Sequence, residues 1–259
     1  MTHAAPLKAK PINPTANTEN ALEVEHLQIA FGPLQVLKDI NLKLKKGENL
    51  VVLGRSGSGK SVLIKCLVGL NEPDEGKITL QGKDVSTLKD QDLELARQKI
   101  GFLFQGSALY DSMTIRENLE FPLMGKIKLK EQEINALVEE ALGNVGLLDA
   151  IDKMPSELSG GMRKRIGLAR TLISKPEIMF YDEPTTGLDS ITSREISHLI
   201  LEMQKKYNTS SIIITHDLEC ARITGNRVLI LKDGIIAAEG TYEEIKNSKE
   251  EWISTYFQE

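Results

Sequence analysis

The chain is 259 residues long, and 32 Lys and Arg against 37 Asp and Glu leave a formal net charge of −5. With 41% hydrophobic and 27% charged residues, the composition is that of a globular protein with a sizeable core. The acidic balance argues against a protein that mainly binds nucleic acid or anionic membranes without sequence specificity, because those surfaces select a basic excess.

The N-terminal stretch and the apolar runs indicate where structure begins and whether the chain spans a membrane. Residues 1–21 contain no apolar secretory segment, and we expect a disordered leader with structure starting near Leu22. Apolar runs such as residues 50–53 are far shorter than the roughly 20 residues of a membrane-spanning helix. Cys66 and Cys220 have no metal or redox spacing, and we interpret them as core residues of a reduced, intracellular protein.

The first part of the chain predicts mostly β-structure. Strand patterns cover residues 23–29, 36–44 and 49–53, followed by a helix over 59–70 and strands over 77–80 and 100–104. Short turn signals separate the first three strands, which is typical of a small antiparallel sheet that leads into a buried strand.

The remainder of the chain alternates between helices and strands after a long helical stretch. Residues 107–152 have mostly helical patterns, followed by helices over 162–174, 191–207 and 217–224, strands over 178–181 and 211–215, and a hairpin over 227–238. Strands that alternate with helices imply an α/β fold with a mainly parallel central sheet. The block 107–172 is then a helical subdomain inserted between strands, and residues 242–259 form a helical tail.

A glycine-rich loop with the spacing G-x-x-x-x-G-K-S follows the apolar strand and precedes a helix. Its residues are Gly54, Arg55, Ser56, Gly57, Ser58, Gly59, Lys60 and Ser61. The backbone N–H groups of such a loop surround a phosphate, while Lys60 neutralises β and γ oxygens and the Ser61 hydroxyl ligates Mg²⁺. The loop therefore predicts binding of a nucleoside triphosphate, and the alternative is a Gly/Ser turn that fits the pattern by chance.

Two carboxylates end the apolar run 178–181, at the carboxyl end of a predicted strand. Asp182 is placed to hold Mg²⁺ through water, and Glu183 to act as the general base that polarises the attacking water. The alternative is a solvated strand end, and the uniformly apolar residues before the pair argue against it.

A further motif between these two elements resembles the signature of ATP-binding-cassette (ABC) ATPases. It consists of Leu158-Ser159-Gly160-Gly161-Met162, followed by residues 165–170. The resemblance continues in the family's order through Gln105 (Q-loop), Asp182-Glu183 (Walker B), Gly187-Leu188-Asp189 (D-loop) and His216 (H-loop). It implies a P-loop NTPase of the ABC type, with the ATPase domain at residues 22–241. Six motifs in one order are far more specific than any single motif.

The resemblance also implies where ATP binds. ATP lies between two subunits of a homodimer, with Lys60 of one subunit facing the Ser159-Gly160-Gly161 turn of its mate. The helix that follows this turn offers a second anion-binding N-terminus. In this arrangement Asp189 links the two sites across the interface.

Further roles at the nucleotide follow from the same resemblance. Gln105 contacts the nucleotide and joins Ser61 and Asp182 as a metal ligand. His216 senses or holds the γ-phosphate during catalysis. Phe31 stands where the family places an aromatic residue near the adenine, although an aromatic residue at such a strand edge is as often part of the core.

Details of these motifs are similar to the ATPases of Mla/Mce-type phospholipid-trafficking transporters. Met162 replaces the commoner Gln of the signature, and the strings 103–114, 154–162 and 182–192 look like that subgroup. Arg55 departs from the Pro or Asn of many relatives, and it cannot fix the bend of the loop as Pro does. The alternative is the ATPase of an importer for a small polar solute, such as an amino acid.

Because no apolar run is long enough to span a membrane, a transport function requires separate permease subunits. The resemblance places their docking groove near Gln105 and the helical subdomain, with an MCE-type lipid carrier in the assembled complex and no nucleic acid. The ATPase is then expected to be peripheral, on the cytoplasmic side of the inner membrane. A cassette factor that clamps nucleic acid and a P-loop kinase are the competing interpretations.

Two further segments carry charged or apolar patterns. The basic triplet Arg163-Lys164-Arg165 occupies successive helical positions, and we interpret it as mainly solvated surface. Near the C-terminus, Trp252, Ile253, Tyr256 and Phe257 share one helical face, which packs either on the same domain or on a neighbouring subunit.

Overall fold

A computed structural model of the chain describes residues 20–88, 90–124 and 129–258. Within these ranges the strands are β1 (Asn20–Phe31), β2 (Leu34–Lys45), β3 (Asn49–Leu53), β4 (Glu75–Leu80), β5 (Lys83–Asp84), β6 (Ile100–Leu103), β7 (Ile178–Asp182), β8 (Ser210–Thr215), β9 (Arg227–Lys232) and β10 (Ile235–Gly240). The helices are α1 (Lys60–Leu67), α2 (Asp90–Gln98), α3 (Ile115–Glu120), α4 (Glu131–Asn144), α5 (Gly160–Leu172), α6 (Ser190–Tyr207), α7 (Leu218–Thr224), α8 (Tyr242–Lys246) and α9 (Glu251–Tyr256).

The N-terminal strands form an antiparallel sheet in the order β2-β1-β4-β5. In β1 the side chains of Leu22 and Val24 are buried, whereas Glu23 and Glu25 on the other face lie nearer to solvent. This alternation is typical of a strand with one face in the core. The predicted N-terminal antiparallel sheet is therefore confirmed, and its first strand begins at Asn20, slightly before the expected start.

The central sheet has the order β10-β9-β3-β8-β7-β6, and the neighbouring pairs from β9 to β6 are all parallel. Strand β10 adds an antiparallel edge beside β9. Every residue of β3 and β8 is buried, as expected when both faces of a parallel sheet are covered. Because parallel strands end at the same edge, the loops that follow β3, β6, β7 and β8 meet there.

Two hydrophobic clusters lie on opposite faces of the central sheet. Val51 and Leu53 of β3 pack with the helical side of the molecule, whereas Leu50 and Val52 pack with β1, β2 and α1. The two-residue period of a strand explains this division. The predicted α/β architecture is confirmed, with α3 to α5 inserted between β6 and β7. The domain limits at 22–241 and 107–172 stay predictions.

Helices α1 and α2 differ from the sequence prediction, and part of the expected leader is outside the described residues. Between residue 80 and β6 the sequence analysis predicts no helix, yet α2 lies there. Most of its nine residues are polar, so it offers few of the apolar positions by which the other helices are predicted. Helix α1 ends at Leu67 and not at residue 70, since Gly69 adopts a left-handed φ of 70° just after it. Residues 1–19 of the expected leader lie outside the described residues.

Cys66 and Cys220 are free and buried, as expected of core residues. Burial raises the pKa of the Cys66 thiol to about 11 and that of the Cys220 thiol to about 12. Within residues 20–88, 90–124 and 129–258, no helix is long and apolar enough to cross a membrane.

Candidate active site

The loop between β3 and α1 carries the predicted phosphate-binding motif. Gly59 precedes α1 with a φ of 102°, and a Cβ there would approach Leu37 Cδ2 to 2.9 Å. A Cβ on Gly54 would lie 2.7 Å from the carbonyl oxygen of Leu231. Glycine is therefore required at both ends of the loop, where the backbone lies against the core. The loop runs directly into the N-terminus of α1, which favours an anion.

Lys60 is the first residue of α1 and is only 7% exposed. Its Nζ donates to the carbonyl oxygens of Gly54 at 2.7 Å and Arg55 at 3.1 Å, and lies 3.8 Å from Glu183 Oε1. Burial lowers the pKa of Lys60, while the carboxylates of Glu183 and Asp182 act in the opposite direction. The ammonium thus lies between the phosphate loop and the acidic pair, within reach of both.

Asp182 ends β7, and its Oδ1 is buried without a hydrogen-bond partner in the described part of the chain. Burial, and after it the charge of Glu183, raises the pKa of Asp182. A bound cation would satisfy this oxygen and compensate its buried charge.

The residues around Asp182 fit magnesium better than a metal that needs a full protein ligand set. Among the described residues, no group of three or more His, Cys, Asp or Glu could hold a metal ion. Magnesium binds through one or two carboxylates together with phosphate oxygens and water. Asp182 with the Ser61 hydroxyl, which lines the neighbouring cavity, suits that pattern.

Glu183 follows Asp182 in a left-handed backbone conformation, with a φ of 50°. Its backbone N–H donates to the carbonyl oxygen of Ile214 at 2.8 Å. Its Oε2 lies 2.8 Å from His216 Nδ1 and accepts hydrogen bonds from the hydroxyls of Thr186 at 3.0 Å and Thr215 at 3.4 Å. This network fixes a carboxylate that is only 13% exposed at the edge of the sheet.

A cavity of about 660 Å³ opens beside these groups. The predicted site residues that line it are Gly54, Arg55, Ser56, Gly57, Gly59, Lys60, Ser61, Gln105, Glu183 and His216. Lining residues that the sequence does not predict are Val36, Val62, Thr186, Leu218 and Tyr256. Ser58 and Asp182 do not line the cavity, but each has a buried oxygen without a hydrogen-bond partner in the described chain. The fold therefore brings the phosphate loop, Gln105, Glu183 and His216 together.

The aromatic residue expected near the nucleotide lies away from this cavity. Phe31 ends β1, is 52% exposed and does not line the cavity. Its alternative interpretation as a core residue is wrong, and its stacking on adenine stays a prediction. Among the Phe, Tyr and Trp residues of the described chain, Tyr256 of α9 lines the cavity instead.

Tyr256 reaches the cavity because α9 packs on the same domain. Ile253 of this helix is 1% exposed, and the Phe257 ring lies 5.5 Å from the Tyr242 ring of α8, measured between centroids. The Lys232 ammonium lies 4.5 Å from the Trp252 ring centroid. The sequence predicted that the C-terminal apolar face packs either on its own domain or on a neighbouring subunit. In the structure it packs on its own domain.

Four other predicted residues form a second cluster at the N-termini of α5 and α6. We use "second cluster" for Ser159, Gly160, Gly161 and Asp189. Ser159 caps α5 by accepting a backbone N–H at 3.3 Å, and Asp189 caps α6 by accepting the N–H of Thr192 at 3.0 Å. Hydrogen bonds from Thr192 lower the pKa of Asp189. A Cβ on Gly161 would lie 2.6 Å from Thr192 Cγ2, so the two helix ends pack closely. None of the four lines the described cavity.

The family follows from a match that includes both the phosphate loop and the acidic pair. A family model described as "ABC transporter" matches residues 37–186, more than half of the chain. The chain belongs to the ABC transporter family.

Relatives of this cassette have names that indicate different functions. "Probable ribonucleotide transport ATP-binding protein mkl" of Mycobacterium tuberculosis is 41% identical over 214 residues, 81% of this chain and 60% of the relative. "Methionine import ATP-binding protein MetN" of Rhizobium johnstonii is 36% identical over 87% of this chain and 62% of the relative. "Protein TRIGALACTOSYLDIACYLGLYCEROL 3, chloroplastic" of Arabidopsis thaliana is 36% identical over 88% of this chain and 70% of the relative. The chain thus spans about 60% of the length of the mycobacterial relative.

Solved structures have the same fold. CbiO1 from Clostridium perfringens, described as part of the ABC transporter complex cbiONQ, matches with a TM-score of 0.82 and 32% identity, covering 89% of this chain and 92% of that chain. The cassette MJ0796, solved as a dimer with ADP and Pi in a post-hydrolysis state, matches with a TM-score of 0.77 and 32% identity, covering 85% and 98%. The P-loop ABC fold predicted from the sequence is confirmed.

Helix α5 of the cassette corrects one prediction. Lys164 is 5% exposed, so the interpretation of the basic triplet as solvated surface is wrong for this residue, whereas its neighbour Arg163 is exposed. The Lys164 Nζ donates to the carbonyl oxygens of Gln105 and Glu183. Sequence reasoning missed this lysine because no spacing rule relates a helical position to carbonyl groups on distant loops.

Proposed function

We propose that this cassette is the ATP-hydrolysing subunit of an ABC transporter and that it binds ATP with Mg²⁺ in the cavity beside the phosphate loop. The observation that carries the proposal is the Glu183 carboxylate, which His216 and Thr186 hold beside the Lys60 ammonium. A fixed carboxylate and a cation at the end of a phosphate loop meet the needs of phosphoanhydride hydrolysis, which are a base for water and charge stabilisation of phosphate.

In the proposed reaction, the amides of loop 54–61 and the Lys60 ammonium orient the phosphates. Glu183 accepts a proton from water while the water oxygen bonds to the γ-phosphorus. The bond between this phosphorus and the bridging β–γ oxygen breaks, which gives ADP and phosphate. His216 keeps the Glu183 carboxylate in place through Nδ1.

Three residues are proposed to hold magnesium. Ser61 and Gln105 line the cavity, and Asp182, which directly precedes the cavity-lining Glu183, offers a buried oxygen with no other described partner. The ion, when bound, neutralises charge that develops on the phosphate oxygens.

The second cluster supports a homodimer with two shared sites. Ser159 and the two glycines after it are separate from the cavity of their own chain, yet they begin a 13-residue helix whose N-terminus favours an anion. A second copy placed head to tail would bring this turn to the phosphates. The MJ0796 cassette, solved as a dimer with ADP and Pi, supports dimer formation by such a cassette.

For the cargo we propose phospholipid, moved between the inner and outer membranes by an Mla/Mce-type transporter. Met162 of the signature supports this choice, as does the 36% identity to an Arabidopsis protein named for the glycolipid trigalactosyldiacylglycerol. The second candidate is an importer of a small polar solute, supported by the 36% identity to a methionine import protein.

A permease is proposed to dock near Gln105 and the helical region. Tyr110 and Phe121 are 41% and 40% exposed with ring centroids 4.8 Å apart, and the Arg170 guanidinium lies 4.8 Å from the Tyr110 ring centroid. Exposed aromatic and Arg side chains are enriched at protein interfaces. The proposed complex places this ATPase on the cytoplasmic side of the inner membrane as a peripheral subunit, together with permeases and an MCE-type carrier.

The hydrolysis proposal is tested with Glu183→Gln. We expect ATP binding to persist and turnover to fall by about 10²- to 10⁴-fold, because general base catalysis contributes about that much. With ATP the variant should also accumulate as a dimer in size-exclusion chromatography. Glu177→Gln is the matched control, since Glu177 pairs with Lys99 at the opposite end of the same strand. Normal turnover of Glu183→Gln would remove Glu183 as the base.

The cargo proposal is tested by affinity purification of the chain from its native membranes in mild detergent, with mass spectrometry of proteins and lipids. We expect a multispanning permease, a lipid-carrier protein and bound phospholipid. A permease together with a small-solute binding protein would favour the second candidate. Recovery without any membrane protein would contradict the transport function while leaving the ATPase assay unaffected.

A further inference from the structure

Lys164 lies at the fifth position of α5, three residues after the glycines of the second cluster. Its burial is unusual for a lysine, because this side chain is almost never fully buried unless it is paired. Arg163 before it is exposed, and Arg165 after it pairs with Glu195 at 2.7 Å on the surface. Of these three neighbours, Lys164 alone points into the protein.

The Lys164 ammonium joins α5 to two loops at the edge of the central sheet. It donates to the carbonyl oxygen of Gln105, which follows β6, and to that of Glu183 at 3.3 Å, which follows β7. Burial lowers the pKa of Lys164, while the charges of Glu183 and Asp182 act in the opposite direction. One side chain therefore contacts the main chain of both loops behind the cavity.

The backbone of Glu183 needs such support. Its φ of 50° is in the left-handed region, which residues other than Gly occupy only where the surroundings hold them. Its N–H is fixed by Ile214, and its carbonyl oxygen accepts the N–H of Thr186 at 3.3 Å as well as the Lys164 ammonium. The direction of the Glu183 side chain depends on this peptide, so a rotation of the carbonyl would turn the carboxylate away from the cavity.

We propose that Lys164 is a positioning residue for ATP hydrolysis, which fixes the main chain of Gln105 and Glu183 relative to α5. Lys164 does not line the cavity, and it acts through the two residues whose carbonyl groups it holds. The inference rests on the proposed role of Glu183 as the base. It goes beyond that role because it connects α5, the helix that begins at the second cluster, to the cavity of the same chain through Lys164.

The test compares Lys164→Met with Arg165→Met in the full chain. Methionine has a similar length but no donor, and an apolar residue in place of a buried cation need not lower stability. We expect kcat of Lys164→Met to fall by about ten- to a hundredfold, because a catalytic group misplaced by about 1 Å can lose about a hundredfold. The KM for ATP, the affinity for a fluorescent ATP analogue and the Tm should stay near the values of the unchanged protein. Arg165→Met should leave kcat, KM, the affinity for the ATP analogue and the Tm unchanged.

A rescue variant separates positioning from packing. Lys164→Arg retains the charge and the donors, so we expect it to recover more turnover than Lys164→Met; Lys164→Gln, with an amide donor, provides the same comparison if the methionine variant does not fold. Unchanged kcat in Lys164→Met, equal losses in the arginine and methionine variants, or a parallel fall of kcat, affinity and Tm would each overturn the inference. Glu183→Gln is measured beside them. If it stalls while Lys164→Met turns over normally, only this inference fails; if it turns over normally, the proposed base fails.

Discussion

The cavity and the second cluster differ in how completely one chain builds them. In the cavity, Lys60 and Glu183 are largely buried, and hydrogen bonds from His216, Thr186 and Thr215 hold the carboxylate. In the second cluster, by contrast, Ser159 and Asp189 are exposed, and the contacts of both side chains are made within the first turns of their own helices.

This difference indicates which steps one chain performs alone. Preorganised groups that are already fixed need little reorganisation when a ligand arrives, so the cavity is suited to bind the phosphates by itself. The second cluster has helix N-termini directed at solvent, and these acquire a ligand only when another molecule closes over them. We therefore expect ATP binding to be a property of one subunit and ATP hydrolysis a property of two.

Among the substitutions that test this difference between the cavity and the second cluster, we expect the largest effect from Lys60→Ala, on ATP affinity. The substitution removes the ammonium between the loop and Glu183, and hydrogen bonds to charged groups are worth about 1.5–3 kcal/mol each. ATP affinity should fall by about ten- to a hundredfold, measured by equilibrium binding to the isolated chain. Lys77→Ala, which removes a surface lysine 3.7 Å from Asp84, is the control and should bind ATP normally. Undiminished binding by Lys60→Ala would contradict the phosphate-loop assignment.

The cavity was largely predictable because its residues are close together in the sequence or follow a topological rule. The phosphate loop is a continuous motif in which close contacts with Leu231 and Leu37 require glycine at positions 54 and 59. The loops carrying Gln105, Glu183 and His216 meet because they follow parallel strands of one sheet. The α/β alternation that predicts this sheet therefore also predicts that these three residues meet.

Other parts of the site depend on tertiary packing that leaves no local pattern. Lys164 is within a run of basic residues and resembles solvated surface, yet its partners are carbonyl groups 59 and 19 positions away in the sequence. Tyr256 lines the cavity only because α9 packs on its own domain, whereas Phe31, which is nearer to the loop in sequence, remains outside. Main-chain acceptors and a docked C-terminal helix are results of the complete fold, so periodicity and spacing do not reveal them.

Substitution of Asp189 is expected to have a smaller effect than that of Lys60, but it tests the second cluster directly. Its Oδ1 accepts the N–H groups of Ile191 and Thr192, both at 3.0 Å, and its Oδ2 accepts the Thr192 hydroxyl at 2.7 Å, so Asp189→Ala removes the cap of α6. We expect a Tm lower by a few degrees and reduced turnover, with ATP binding by the isolated chain unchanged. Asn caps helices about as well as Asp, so Asp189→Asn should restore the Tm.

The asparagine variant then separates helix capping from a contact between subunits. If Asp189 also links the two sites, Asp189→Asn should keep the Tm but not the full turnover, because it lacks the charge. Thr114→Ala removes the cap of α3, far along the chain from the second cluster, and should lower the Tm without this loss of turnover. Full turnover in Asp189→Asn would show that Asp189 acts only as a helix cap. The Ser159 turn alone would then make the contact of the second cluster with the neighbouring subunit.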